Sequence, residues 1–288
     1  MLASTPSSAS AFGQALAGTP VAYTQRVCWE EYRNATSQTT TLTRSLSLRA
    51  APLGRTGERL LALRAEAPQL YRQEGQRPLE LEVTEDWALR LAALYAQVQG
   101  RVNAVGEWVE VLNHKAIAQA WVGLRAELLA ENAPDEPLLT SLLTSVDQQV
   151  AAPGGMLRSL RYDYLYQALA GGWPVPPLLA EAWSVGRPRC FAAFLPGLDL
   201  WFTEQTQGAV AEVGQQKLVV RGTFDAGRTD LTALPSGEEP AAALPRADYA
   251  ATVTLDAATS LPIRVEVCVS VRRGDFYNRE YTLNLERA

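Results

Sequence analysis

Pro262-Ile-Arg-Val-Glu-Val-Cys-Val-Ser-Val-Arg-Arg-Gly-Asp275 carries the clearest pattern in the chain. Ile263, Val265, Val267, Val269 and Val271 fall on one side of an extended backbone. Arg264, Glu266, Cys268, Ser270 and Arg272 fall on the other. Successive side chains of a strand point to opposite faces, so this period of two predicts a half-buried strand with a β-branched inner face. Arg273-Gly274-Asp275 turns the chain, and Tyr277 to Leu285 returns with Tyr281, Leu283 and Leu285 inward. The N-terminal end has the same character. Val21 to Tyr32 is rich in Val, Tyr and Trp, and in Thr40 to Arg49 Leu42, Leu46 and Leu48 oppose Thr41, Thr43, Ser45 and Ser47. Arg55-Thr56-Gly57 is a turn, Glu58 to Glu66 reads as a strand, and Leu79, Leu81 and Val83 alternate with Glu80 and Glu82. The chain as far as Glu85 therefore reads as an antiparallel meander.

The period then changes. Trp87, Leu91, Leu94 and Val98 recur every three to four residues, which predicts a helix begun at Thr84 and closed by Gly100. Val102 to Leu112 leans towards strand. From His114 the helical stripe is Ile117, Ala120, Trp121, Leu124 and Leu128, with Asn113 placed as its cap. After Pro134, Pro137 opens a helix carried by Leu138, Leu139, Leu142, Leu143, Val146 and Val150. Pro153-Gly154-Gly155 breaks that helix. Leu157, Leu160, Tyr164, Leu165, Ala168 and Leu169 predict a third, closed by Gly171-Gly172. Trp173 to Pro177 is a Pro-rich linker. Beyond it strands return: Phe191 to Phe202 is strongly apolar and aromatic, and Leu231 to Arg246 is a long loop.

The expected organisation is a flexible leader over residues 1–20 and one α+β domain over 21–288. Strands dominate 21–112, helices 113–172 and strands again 173–288. Each strand set is apolar on one face and needs a cover. The economical fold is a curved antiparallel sheet, or partly open barrel, built from both ends of the chain and covered by the central helices; two separate domains are the alternative.

Composition removes several function classes. The 288 residues carry a net charge of −5, so no basic footprint for nucleic acid is present. Lys+Arg is 26, and only Lys115 and Lys217 are Lys. The Arg residues are interleaved with Asp and Glu, as on a mixed solvated surface. The three cysteines, Cys28, Cys190 and Cys268, are widely spaced and read as buried free thiols. The longest apolar runs fall far short of the ~18 residues of a spanning helix. Met1 to Tyr23 has no charged side chain and no Sec-type signal pattern, which as it stands implies the cytoplasm. A signal already removed would instead imply the envelope.

His114 is the one histidine, so no His-based metal site, and no cofactor, is expected. HExxH, GxGxxG, GxxxxGK[ST], GxSxG and SxxK are absent. The paired carboxylates Glu30-Glu31, Glu85-Asp86, Asp135-Glu136 and Glu238-Glu239 are adjacent in sequence. Neighbours on a strand point oppositely, and acids at a helix start serve its dipole, so none forms a catalytic pair across a cleft. Asn34-Ala35-Thr36 matches a glycosylation sequon without a secreted context. The densest aromatic region comprises Tyr162, Tyr164, Tyr166, Trp173, Trp183, Phe191, Phe194, Trp201 and Phe202. It is either the sheet–helix core seam or the wall of an apolar pocket or partner surface. The candidate binding residues taken from it are Tyr162, Tyr166, Trp173, Trp183, Phe191, Phe194, Trp201 and Phe202.

The stretch Tyr249-Ala-Ala-Thr-Val-Thr-Leu-Asp256-Ala-Ala-Thr259-Ser-Leu-Pro262 resembles a hairpin common in bacterial envelope proteins, with Ser260 where Gly is usual. With the strand–helix–strand order it resembles the LolA/LppX-like clam, which implies a curved sheet over central helices and an apolar cavity for lipid. The leading expectation is a non-catalytic binding or structural protein of bacterial type, acting through a protein partner or self-assembly. The alternative is a carrier of an apolar ligand such as a lipid. A hydrolase using His114 or a carboxylate comes third.

Overall fold

The valine-rich stretch lies near the middle of an antiparallel sheet that draws on both ends of the chain. The structure is a computed structural model and describes residues 19–33, 36–53, 57–133, 136–170, 183–184, 186–195, 198–234 and 245–288. Most of the expected leader, the sequon's Asn34, Asp135, the linker with Trp173, and Glu238-Glu239 lie outside the described residues.

The first strands are β1 (Val21–Arg33), β2 (Thr36–Leu53), β3 (Glu58–Ala65), β4 (Gln69–Glu74) and β5 (Arg77–Leu79). After α1 (Val83–Leu94) come β6 (Gln97–Val102) and β7 (Trp108–Val111). The central helices are α2 (His114–Glu131), α3 (Pro137–Val150), α4 (Pro153–Tyr162) and α5 (Tyr164–Ala170). The closing strands are β8 (Arg187–Leu195), β9 (Leu198–Ala209), β10 (Gln215–Phe224), β11 (Arg246–Asp256), β12 (Pro262–Arg273) and β13 (Tyr277–Arg287). Among the described residues, all thirteen strands belong to one sheet, in the order β7-β6-β3-β2-β1-β13-β12-β11-β10-β9-β8, with β4 on the first half of β2 and β5 beyond it. The two strand-rich halves thus join at β1–β13, where Val27 faces Leu283 and Trp29 faces Tyr281.

Register explains the join. Val265, Val267 and Val269 of β12 lie opposite Leu285, Leu283 and Tyr281 of β13, and all six are buried. Each fully buried aliphatic side chain contributes roughly 1.5–3 kcal/mol, so a slip by one residue would expose the whole row. The other face carries Cys28, Thr41, Cys268 and Thr282 in neighbouring registers. Among the described residues the sheet does not close: β7 and β8 end its main strand path, yet residues of both line one cleft. The sheet is therefore curved far enough to bring its edges face to face, and the helices cover the inner side.

Side-chain bonds tie the helices to that inner side. The Trp108 indole donates to the Tyr166 carbonyl at 3.1 Å, Arg161 Nε donates to the Trp108 carbonyl at 2.8 Å, and Tyr164 Oη donates to the Ala192 carbonyl at 2.9 Å. The outer helices are joined to each other by Trp121 Nε1 donating to Asp147 Oδ1 at 2.7 Å.

Several local expectations are corrected. Gly100 does not close α1; it sits in β6, where an added Cβ would lie 2.3 Å from the Glu110 carbonyl and 2.8 Å from the Trp108 ring. Val98 accordingly belongs to β6, and α1 is capped by a Glu82–Glu85 capping box rather than by Thr84. Asn113 precedes α2, but its amide bonds to Gln99 N and the Gln97 carbonyl instead of capping. The third helical stripe is two helices, because Asp163 Oδ1 accepts from the amides of Leu165 and Tyr166 and starts a new one. Phe191 to Phe202 runs from β8 into β9, which pair as a hairpin. Ser260 has φ 55°, the left-handed conformation for which Gly is suited.

Candidate functional site

The inner face is not fully filled. A cavity of about 330 Å³ remains where β1, β2 and β13 face α1, the α4–α5 corner and β8. Its apolar walls are Val27, Trp29, Leu42, Ala92, Tyr164, Leu165, Ala192, Phe194 and Tyr281, with Tyr162 beside them. Edge-on aromatic contacts hold this wall in shape. Tyr164 meets Tyr281 at 4.8 Å and Phe191 at 5.1 Å, and Trp29 meets Tyr281 at 5.7 Å between ring centroids. Burial pushes the phenols of Tyr164 and Tyr281 well above their ordinary range, so both stay protonated.

Polar atoms share the exposed lining about equally with apolar ones, and Gln25, Arg44 and Asp163 bring polar side chains to it. Gln25 and Arg44 lie opposite each other on β1 and β2, and Arg44 Nε donates to Gln25 Oε1 at 2.5 Å. Gln25 is 3% exposed, a buried polar group that needs this partner. Asp163 keeps solvent access at the cavity margin. Enclosure by the walls raises its carboxyl above the usual value, against the pull of Arg44 and of the two amides it caps. These groups were missed in the sequence reading. Gln25 and Arg44 each break an otherwise apolar alternation (Val21, Tyr23, Val27, Trp29 and Leu42, Leu46, Leu48), and that paired interruption was the available signal.

A second space of about 480 Å³ opens between the sheet edges. It is lined by Gly106, Glu107, Trp108, Arg161, Tyr162, Gln167, Arg187, Pro188, Arg189, Cys190, Trp201 and Arg228. Tyr162 borders both spaces, so they adjoin. Beneath the cleft, Glu204 is completely buried and accepts from Arg187 at 2.6 Å, from Arg189 at 2.9 Å and from Tyr249 Oη at 2.7 Å. Burial alone would raise this carboxyl, but the two guanidiniums and the phenol outweigh it and hold it below its ordinary value. Burial pushes the Cys190 thiol up to about 12, which leaves no thiolate at neutral pH.

The structure separates the sequence-derived candidates. Phe194 and Tyr162 border the inner cavity, and Trp201 and Tyr162 border the cleft. Phe191, Phe202 and Tyr166 are buried core residues that line neither space. Trp183 lies 4.9 Å under the Arg221 guanidinium, away from both spaces. Trp173 lies outside the described residues. His114 Nε2 is 3.2 Å from the Val150 carbonyl, a tie between the start of α2 and the end of α3. Glu31 pairs with Arg279 at 2.8 Å, Glu85 serves α1, and Glu136 caps α3 through Leu138 N. Among the described residues no group of three or more His, Cys, Asp and Glu could hold a metal ion, and no helix is long and apolar enough to cross a membrane.

No protein-family model matches the chain, and no curated protein does. Among solved structures, lipovitellin, solved in work on its lipid–protein interactions, is 9% identical with a TM-score of 0.45, covering 93% of this chain and 25% of that chain. The present chain thus spans about a quarter of the lipovitellin chain it matches. A DUF1329 family protein from Desulfovibrio piger is 9% identical with a TM-score of 0.15, covering 97% of this chain and 90% of that one. At these TM-scores neither likeness says what this chain binds.

Proposed function

We propose that the chain binds an amphiphilic ligand, an apolar body with a polar end, in the inner cavity of the curved sheet. One observation carries this reading: aromatic and aliphatic side chains of β1, β2, β13 and β8 border an open space of about 330 Å³, with Gln25, Arg44 and Asp163 in its wall. Apolar walls with a few convergent polar groups are the usual make-up of a small-molecule site, and the size falls in the ~300–1,000 Å³ range of such sites. Tyr164 and Tyr281 pack edge-on at 4.8 Å between ring centroids, a contact that stiffens this wall. Preorganisation of this kind favours binding because less freedom is lost on association.

This places ligand binding ahead of the protein-partner reading that the sequence ranked first. The partner reading keeps one supporting feature, the apolar residues Val122, Leu129 and Leu138 exposed on α2 and α3. They are single exposed side chains and define no partner, whereas the cavity defines a ligand size and chemistry. The polar groups serve binding in this reading, with no reaction step assigned to them.

The test is native mass spectrometry on protein purified without detergent, followed by solvent extraction. A released compound of a few hundred daltons with an apolar chain is expected. An empty protein that also fails to take up any of a panel of fatty acids, fatty alcohols and lysophospholipids would overturn the reading.

A further inference from the structure

We infer that the polar end of the ligand is a carboxylate, held inside the inner cavity by the Arg44 guanidinium and the Gln25 amide; this rests on the ligand-binding reading above. Both residues break the inner face of the sheet at one point. Gln25 and Arg44 are directly opposed on β1 and β2, between the pairs Tyr23–Leu46 and Val27–Leu42. On the other side of Gln25 stands the fully buried Leu285 of β13. Polar groups set among such neighbours find no partner within the sheet face beyond each other, so any donor they leave over must be met from the cavity they line.

Donors are left over. Arg44 Nε donates to Gln25 Oε1 at 2.5 Å, and among the described residues this is the one hydrogen bond that either side chain makes. The two terminal nitrogens of Arg44 and the amide nitrogen of Gln25 still have hydrogens to give. Among the described residues Arg44 also forms no ion pair. Three unspent donors, two of them on a cation, call for a charged acceptor. A guanidinium offers two parallel N–H groups that match both oxygens of a carboxylate, whereas a hydroxyl head would answer one of them. An ammonium head would be repelled.

Asp163 sets the upper limit of the charge. It is the other charged residue of the cavity lining, on the α4–α5 corner, and its Oδ1 accepts from the amides of Leu165 and Tyr166. Its negative charge works against an anionic head, and so favours the single charge of a carboxylate over the two of a phosphate monoester. Beyond the head, Trp29, Leu42, Phe194 and Tyr281 offer wall for an apolar body.

The experiment is a titration of the full chain with dodecanoate and with dodecanol, which share a chain length and differ in the head, at about pH 8, where a free carboxylic acid is ionised. The parent is expected to bind dodecanoate at least tenfold more tightly than dodecanol. Arg44→Gln is expected to cut that ratio at least fivefold. Asp163→Asn, whose Oδ1 can still accept from the two amides, is expected to raise it. Opposite shifts in the ratio mark a charge effect, because general damage to the cavity would weaken both ligands together. Thermal melts check that the variants are folded; where Arg44→Gln is not, Asp163→Asn decides alone. Equal binding of the two ligands by the parent would overturn the head-group assignment and leave the cavity reading standing. So would a ratio left unchanged by either folded variant. A parent that binds neither ligand would overturn both readings.

Discussion

Replacing Glu204 with Gln isolates the electrostatic core of the structure. The side chain keeps its size, so no cavity is made, but Arg187 and Arg189 lose the charge of the Glu204 carboxylate. Glu204 has no solvent exposure and accepts from Arg187, Arg189 and Tyr249. Removing one partner of a buried pair costs about 3–5 kcal/mol, because the other charge is left behind. Arg187 is 30% exposed and can turn to water, while Arg189 is only 14% exposed and cannot, so the cost should sit near the low end, about 3 kcal/mol. For a chain of this size that corresponds to a fall in Tm of roughly 6 °C. Glu204→Gln/Arg189→Met, which removes the stranded charge as well, should recover part of the loss. The pH dependence has a definite sign. The Glu204 carboxyl is held below its ordinary value of 4.5 in the folded state, so its contribution is complete above that pH. It fades as pH falls through the lower folded value. The gap between parent and variant should therefore be full at pH 7 and shrink below pH 4.5. Urea unfolding at pH 7 and pH 3.5 measures both gaps. A variant within about 0.5 kcal/mol of the parent at pH 7 would show that the buried cluster carries no such energy, since that is the scatter of a neutral surface change.

Other perturbations act on single contacts. Gly100→Ala would drive a Cβ into the Glu110 carbonyl and the Trp108 ring, and should destabilise by about 1–3 kcal/mol in urea unfolding. Ser260→Gly relieves a left-handed residue at a cost in chain entropy, for a net gain of about 0.5–1 kcal/mol read from the denaturation midpoint. Tyr164→Phe removes the bond to the Ala192 carbonyl but keeps the ring contacts, so it should lower stability by about 1 kcal/mol and leave the affinity for dodecanol within twofold in a displacement titration.

The sheet was legible in the sequence wherever one face alternates cleanly. Val265 to Val271 and Tyr281 to Leu285 sit on the inner face as their period demands. Helix starts at His114 and Pro137 were equally open to reading, because the apolar stripe and the proline position are local signals. The break at Asp163 was not, since Leu160, Tyr164 and Leu165 keep a helical period across it. There a side chain bonding to two amides competes with the backbone ladder and wins. Gly100 was misread because a glycine at a helix end and a glycine under a tryptophan ring look alike until the partner strand is known. A cavity was implied by the resemblance, and Tyr162 and Phe194 were among the candidates for its wall, but its place in the fold was hidden for a similar reason. It needs β1, β2 and β13 opposite β8 and the α4–α5 corner, contacts set by a curvature that no local pattern encodes. Two of its polar members did leave a trace. Gln25 and Arg44 interrupt apolar rows on adjacent strands, and Arg44 was overlooked because its leucine neighbours dominate the alternation.

The proposed function stands or falls on whether the space beside Ala92 holds a ligand's apolar body. Equilibrium dialysis of dodecanoate against the parent and Ala92→Trp asks this of the protein itself, because the larger side chain enters the cavity from α1 without touching the arginine cleft. One dodecanoate per parent chain is expected, with a loss of at least tenfold in affinity for the variant and a thermal melt within a few degrees of the parent. Unchanged binding by a folded Ala92→Trp would place the ligand elsewhere and contradict the cavity reading.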